Sequence, residues 1–172
     1  LPAPEHVRRN LSLAGMYLVA YQMFRNAVID QTKNFFQNGF DENGLIVSRE
    51  YQSTVLMRAK SPFAASLAWL QEMDVFDDED IAEIQMLREH RNKLSHGLVD
   101  MITKSECVDL IDPERIDAVK RHNKALDKFF GGISVDIDPV WDGKDVDYDN
   151  IVSLASLVLD YIHEAVKNDK NT

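Results

Sequence analysis

Apolar residues recur along this chain at helical rather than strand intervals. Tyr17, Tyr21, Phe24, Val28 and Phe35 fall three, four or seven apart, which predicts one long helix from about Pro4 to Asn38 with Gly39 at its C′ position. Phe40 to Val47 lacks that period and carries an Asn43-Gly44 turn signal, so it reads as a loop; Leu45-Ile46-Val47 is too short to build a sheet. A second helix is expected from Ser48 to Lys60. Ser61-Pro62 then reads as an N-cap followed by an N1 proline, opening a helix through about Met73, or continuing the same element after a break. Phe63, Leu67, Trp69 and Leu70 supply its apolar side.

The pattern resumes behind Asp77-Asp78-Glu79-Asp80, and an amphipathic helix is predicted from about Asp78 to Met101. Asp112-Pro113 repeats the cap-plus-proline start. Ile116, Val119, Leu126 and Phe130 continue that helix, and Gly131-Gly132 is expected to end it. Ser134 to Tyr148 is an acidic loop. A last helix carries Ile151, Leu154, Val158, Ile162 and Ala165, capped by one of Asp145, Asp147 and Asp149, with a fraying tail from Lys167 to Thr172. Five or so amphipathic helices with short joints predict an all-α, antiparallel helical bundle forming a single domain over residues 1–172.

Composition narrows the class. With 45% hydrophobic residues over 172 positions the chain can bury a substantial core. No apolar run reaches the ~18–20 residues that a membrane span needs, and no secretory signal is visible. Cys107 is the lone cysteine, which excludes an internal disulfide and a cysteine-rich metal site, reads as a spectator, and favours a cytoplasmic setting. The net charge of −10 excludes a broad basic surface for nucleic acid. Any RNA contact must be local.

One such locality exists in Arg88-Glu89-His90-Arg91-Asn92-Lys93-Leu94-Ser95-His96-Gly97. Ile84, Leu87, Leu94 and Leu98 make an apolar stripe, and Arg91 falls on that line where an aliphatic residue is expected. Long cations are seldom buried without a partner, because desolvation is expensive. His96 lies five residues on, about 140° round the helix. The two side chains converge on one ligand if the groove is wide, if Gly97 loosens the helix, or if a second copy packs alongside. A bland account competes: Arg91 pairs with a carboxylate of another helix, and His96 caps a helix end before glycine. His90 is a competing proton carrier, and Glu89 could orient either histidine.

The Arg91-Asn92-x-x-x-His96 spacing resembles the Arg-x4-6-His signature of the HEPN superfamily, with Arg91 and His96 at its two defining positions and Asn92 at the polar position that often follows the arginine. The resemblance implies a small all-α bundle whose protomers pair so that both motifs meet in one cleft. It implies a metal-independent endoribonuclease, in many relatives a toxin or defence effector held in check by another protein such as an antitoxin, or else an inactive protein- or nucleotide-binding module. One subgroup, silenced by a nucleotidyltransferase, carries tyrosine two places after the histidine; here Leu98 stands there, so that regulation is not implied.

The chemistry suits these residue types. RNA brings its own 2′-hydroxyl nucleophile, so cleavage needs proton transfer and cations around the phosphate. Histidine, with an ordinary pKa of ~6.5, serves the first. Arginine, always charged and presenting a planar fork of donors, serves the second. Arg91 is therefore expected to anchor the phosphate, His96 to move protons and Asn92 to support them, with Arg88, Lys93 and Ser95 as substrate-binding residues in a homodimer formed through this helix. No cofactor is called for.

The remaining charges have bland readings. Arg8, Arg9 and Arg25 read as solvated or snorkelling cations. Lys120, Arg121, His122, Lys124 and Lys128 read as a solvated helix face, with an auxiliary RNA surface as the alternative. The acidic run at Asp77–Asp80 reads as a helix start; a divalent metal site there has no complementary histidine in the helical pattern, and no metal is assigned. Asp41-Glu42-Asn43-Gly44 fails as a calcium loop because Leu45 occupies a ligand position, and the Asp145/Asp147/Asp149 alternation lacks the later ligands.

Overall fold

The computed structural model describes residues 3–103 and 113–170, with side chains described for 3–100 and 114–167. The fold is all-α. Its α-helices are α1 (Pro4–Phe35), α2 (Pro62–Glu72), α3 (Asp78–Thr103), α4 (Pro113–Ile137) and α5 (Leu154–Lys170). Cys107 and the expected cap Asp112 lie outside the described residues.

α1 is the spine, and it packs against α2, α3, α4 and α5. Tyr17, Phe24 and Val28 are fully buried along it, and the Tyr17 hydroxyl donates to the Leu87 carbonyl of α3 at 2.8 Å. Burial pushes the Tyr17 phenol well above its ordinary pKa, so it remains a donor. Ring contacts Phe24–His122 and Phe35–Phe130 run α1 parallel to α4. Asn123 bonded to Ser156, and Asp127 bonded to Ser153, run α5 antiparallel to α4. Phe35, Phe36, Trp69, Phe129 and Phe130 form an aromatic cluster at one end, with centroids 4.9–6.4 Å apart.

Local structure departs from expectation in five places. α1 stops at Phe35, and the following residues pair as an antiparallel hairpin, β1 (Gln37–Asp41) with β2 (Gly44–Val47). Gly39 therefore sits in a bulged strand at φ +119°, not at a helix C′ position. The turn signal was sound: Asp41 Oδ1 accepts from the Asn43 amide at 2.8 Å. Second, the expected helix over 48–60 is irregular, with a π-helical turn at Tyr51–Val55 followed by a 3-10 turn at Leu56–Arg58. Ser61 then caps α2 by accepting from the Ala64 amide at 3.2 Å.

Third, α4 runs through Gly131-Gly132 to Ile137. The glycines admit a neighbour instead of ending the helix: a Cβ on Gly131 would lie 2.4 Å from Ile151 Cγ2, and one on Gly132 3.3 Å from Tyr148. Fourth, Asp147 caps a 3-10 turn at Tyr148–Asn150, and Asp149 pairs with Lys128. The α5 cap is Ser153, whose hydroxyl accepts from the Ser156 amide at 3.2 Å. Fifth, the buried stripe of α5 is Leu159, Ile162 and Val166, whereas Leu154 is 76% exposed. No helix among the described residues is long and apolar enough to cross a membrane.

Candidate functional site

α3 starts from a reciprocal box. The Asp80 amide donates to Asp77 Oδ1 at 2.8 Å, and the Asp77 amide donates to Asp80 Oδ2 at 3.2 Å. The helix then buries Ile84, Leu87, His90 and Leu94 against α1. The core position between Leu87 and Leu94 thus belongs to His90, whose ring stands edge-on to Tyr17 at 4.8 Å. Arg91 lies at the margin of the stripe and is half-buried.

At that margin three elements enclose a cleft of ≈380 Å³. α1 contributes Tyr21, Gln22 and Arg25; the start of α2 contributes Ser61 and Phe63; α3 contributes Arg88, Arg91 and Asn92. Arg91 donates to Asn92 Oδ1 at 3.2 Å, and the Arg25 guanidinium lies 5.9 Å from the centre of the Phe63 ring. The three cations converge electrically as well. Burial pushes the Tyr21 phenol up, while Arg88, Arg25 and Arg91 all pull it down.

Among the described residues, none of these three arginines forms a salt bridge. Four cations elsewhere are paired with carboxylates. Arg58 pairs with Glu72, Lys120 with Asp160, Arg121 with Glu83 and Lys128 with Asp149. The expected solvated basic face of α4 is therefore largely a set of inter-element ion pairs, and its His122 is 1% exposed. A larger cleft of ≈470 Å³ between α4 and α5 is lined by Lys120, Arg121 and Lys124, but Asp117, Asp149 and Asp160 line it too. Its charges are matched, whereas those of the α1–α3 cleft are not.

The sequence-predicted residues divide accordingly. Arg88, Arg91 and Asn92 meet in the cleft. Ser95 donates back to the Arg91 carbonyl at 3.0 Å, a bond within the helix, and lines no part of the cleft. Lys93 and His96 are exposed and line no part of the cleft. α3 continues without interruption past Gly97, so neither a loosened helix nor a C-terminal cap explains His96. Arg25, read from the sequence as a solvated or snorkelling cation, also lines the cleft. Its cue was weak: it stands four places from Tyr21, on the flank of the α1 stripe.

A second cluster lies one helical stretch away. His122 Nε2 and Glu83 Oε2 are 2.7 Å apart, and His122 Nδ1 lies 3.6 Å from Asp80 Oδ1. Burial holds His122 below its ordinary pKa even though Glu83 and Asp80 oppose that shift. Burial raises Glu83, but hydrogen bonds from Arg121 and His122 outweigh it and leave the carboxyl below its usual range. Asp80, Glu83 and His122 could together hold a metal ion. Compared with known proteins, the chain matches no protein-family model, no curated protein and no solved structure, so the geometry of α1, α2 and α3 carries the functional reading.

Proposed function

We propose that this protein is a HEPN-like, metal-independent endoribonuclease that works as a homodimer, grips a phosphodiester in the α1–α3 cleft and cuts it by attack of the neighbouring 2′-hydroxyl. One observation carries the reading: three arginines, unneutralised by any carboxylate among the described residues, share one cleft in a protein of net charge −10. Cations left together without acids repel one another, and an anion relieves that cost. Arg91, braced by Asn92, stabilises charge on the phosphate, and Arg88 extends the grip. His96 supplies the proton transfer. It faces solvent about 140° away from Arg91, so it serves the cleft of a second copy rather than its own. A toxin or defence role, with an antitoxin-like restraining protein, is the setting that the motif suggests.

The position of His96 outside its own cleft favours a second reading, a catalytically silent module that binds an anionic nucleotide or partner. Product analysis separates the two. Purified dimer should leave a 2′,3′-cyclic phosphate and a 5′-hydroxyl, undiminished by chelator. His96→Ala should lower cleavage about 10²–10⁴-fold with RNA binding retained, whereas Arg91→Ala should lose both. RNA bound but intact under all conditions would establish the silent module instead.

A further inference from the structure

Asp80 and Glu83 lie eleven and eight residues, or about 16 and 12 Å, along α3 from Arg91. They take no part in the cleft. Asp80 and Glu83 are one turn apart on α3, and His122 reaches them from α4. A histidine ring has two nitrogens, and here each faces a carboxylate. Only one contact is a hydrogen bond: Nε2 to Glu83 at 2.7 Å. The other, Nδ1 to Asp80 Oδ1 at 3.6 Å, is too long. A doubly protonated ring would close that second gap. A neutral ring with its proton on Nε2 instead points a lone pair at a carboxylate oxygen.

Two facing lone pairs repel each other, and a cation placed between them relieves that cost. A point 2.1 Å from both atoms sees them at an angle of roughly 118°, near the tetrahedral value, and ~2.1 Å is the usual zinc–nitrogen and zinc–oxygen distance. Both ligands are already oriented. Asp80 Oδ2 is held by the Asp77 amide, which fixes Oδ1. His122 Nε2 is held by Glu83, which Arg121 anchors in turn. A carboxylate on the far nitrogen of a metal-bound histidine is the usual way such rings are aimed. Asp80 and Glu83 against Arg121, with the ring neutral, leave a local charge of about −1, further supported by Asp77, Asp78 and Glu79 beside them. The two acidic side chains are about one-third exposed, so ion and water can reach the site.

We propose that Asp80 Oδ1 and His122 Nδ1 bind a zinc-class divalent cation, with Glu83 as the positioning residue behind the histidine and water completing the shell. The imidazole ligand selects zinc, nickel or cobalt over magnesium and calcium. The ion would clamp the start of α3 to the middle of α4.

The test uses the full chain stripped with chelator and titrated with Zn²⁺ by calorimetry, alongside nitrogen NMR of the histidine rings. One Zn²⁺ per chain should bind, the His122 Nδ1 resonance should move, and Mg²⁺ should do neither. Asp80→Asn keeps a carbonyl for the Asp77 amide and should weaken binding at least tenfold. Glu83→Gln should weaken it about 10–100-fold. The proposal is overturned if no Zn²⁺ binds at up to millimolar concentration, or if Zn²⁺ binds with the His122 signal unmoved or with Asp80→Asn unchanged.

Discussion

Asp127 is 3% exposed, yet it is a carboxylate. It survives there because it does what the start of α5 requires: its Oδ2 accepts from the Ser153 amide at 2.8 Å and from the Ser156 hydroxyl at 2.7 Å. An anion at a helix N-terminus also meets the positive end of the dipole. Asp127→Ala strands both donors and should cost about 2–3 kcal/mol, while Asp127→Asn, which keeps one acceptor, should cost about 1 kcal/mol. Urea unfolding measures the difference, and equal stability of both variants with the wild type would refute the account. Polar core positions of this kind were the hardest to read in the sequence. His90 occupies the gap between Leu87 and Leu94, and His122 and Asn123 the gap between Val119 and Leu126. Neither histidine was read as core: the apolar line of α3 was drawn through Arg91 instead of His90, and His122 was read with the solvated face of α4. Arg91 drew attention as a cation on the apolar line, and the structure moves it to the margin of the stripe, half-buried. His96 was found by spacing alone, and spacing does not show which way an exposed ring faces.

Helices were legible from period and caps, and their ends were less so because glycine has more than one use. Two helical glycines make the contrast measurable. Gly131 is a place of close approach: alanine there puts Cβ 2.4 Å from Ile151 Cγ2 and 3.4 Å from Ile151 Cβ, which a β-branched side chain cannot easily vacate. Gly131→Ala should destabilise by about 1–2 kcal/mol net, the overpacking outweighing a helix-propensity gain of ~1 kcal/mol. Gly97 has nothing within 4 Å of a built Cβ and lies within α3, so Gly97→Ala should stabilise by up to ~1 kcal/mol. Thermal melts of the two variants should move in opposite directions, and parallel movement would show that α4 and Ile151 are not in tight contact. The end of α2 shows a third solution. The Asp74 amide donates to the Gln71 carbonyl and the Val75 amide to the Leu70 carbonyl, with Asp74 at φ 57° where glycine is commoner. No glycine marked that stop, so the sequence placed it only approximately. The β1–β2 hairpin was missed for a similar reason: two short strands pair through a two-residue turn at Glu42-Asn43 without the alternating apolar pattern that announces a strand.

At the scale of the whole molecule the net charge of −10 and the α1–α3 cleft pull in opposite directions, and salt resolves them. A protein that binds RNA through a broad basic face neutralises many phosphates, and its affinity falls steeply as salt displaces counterions. On the proposed reading the remaining acidic surface repels RNA, and attraction comes chiefly from Arg25, Arg88 and Arg91 in the cleft. Each phosphate contact on a single strand contributes a slope of about −0.7 in log K against log salt. One cleft should therefore give a slope of about −2, and a dimer engaging one strand through both clefts about −4. Arg25→Ala should make the slope shallower by about 0.7 per cleft engaged, and Lys93→Ala, outside the cleft, should leave it unchanged. Filter binding or fluorescence anisotropy across 50–300 mM salt measures both. A slope that ignores Arg25 would remove α1 from the site and return the motif to α3 alone. A slope near −4 that falls to half in a monomeric variant would place both clefts on one RNA, the arrangement in which an outward-facing His96 can serve its neighbour's phosphate.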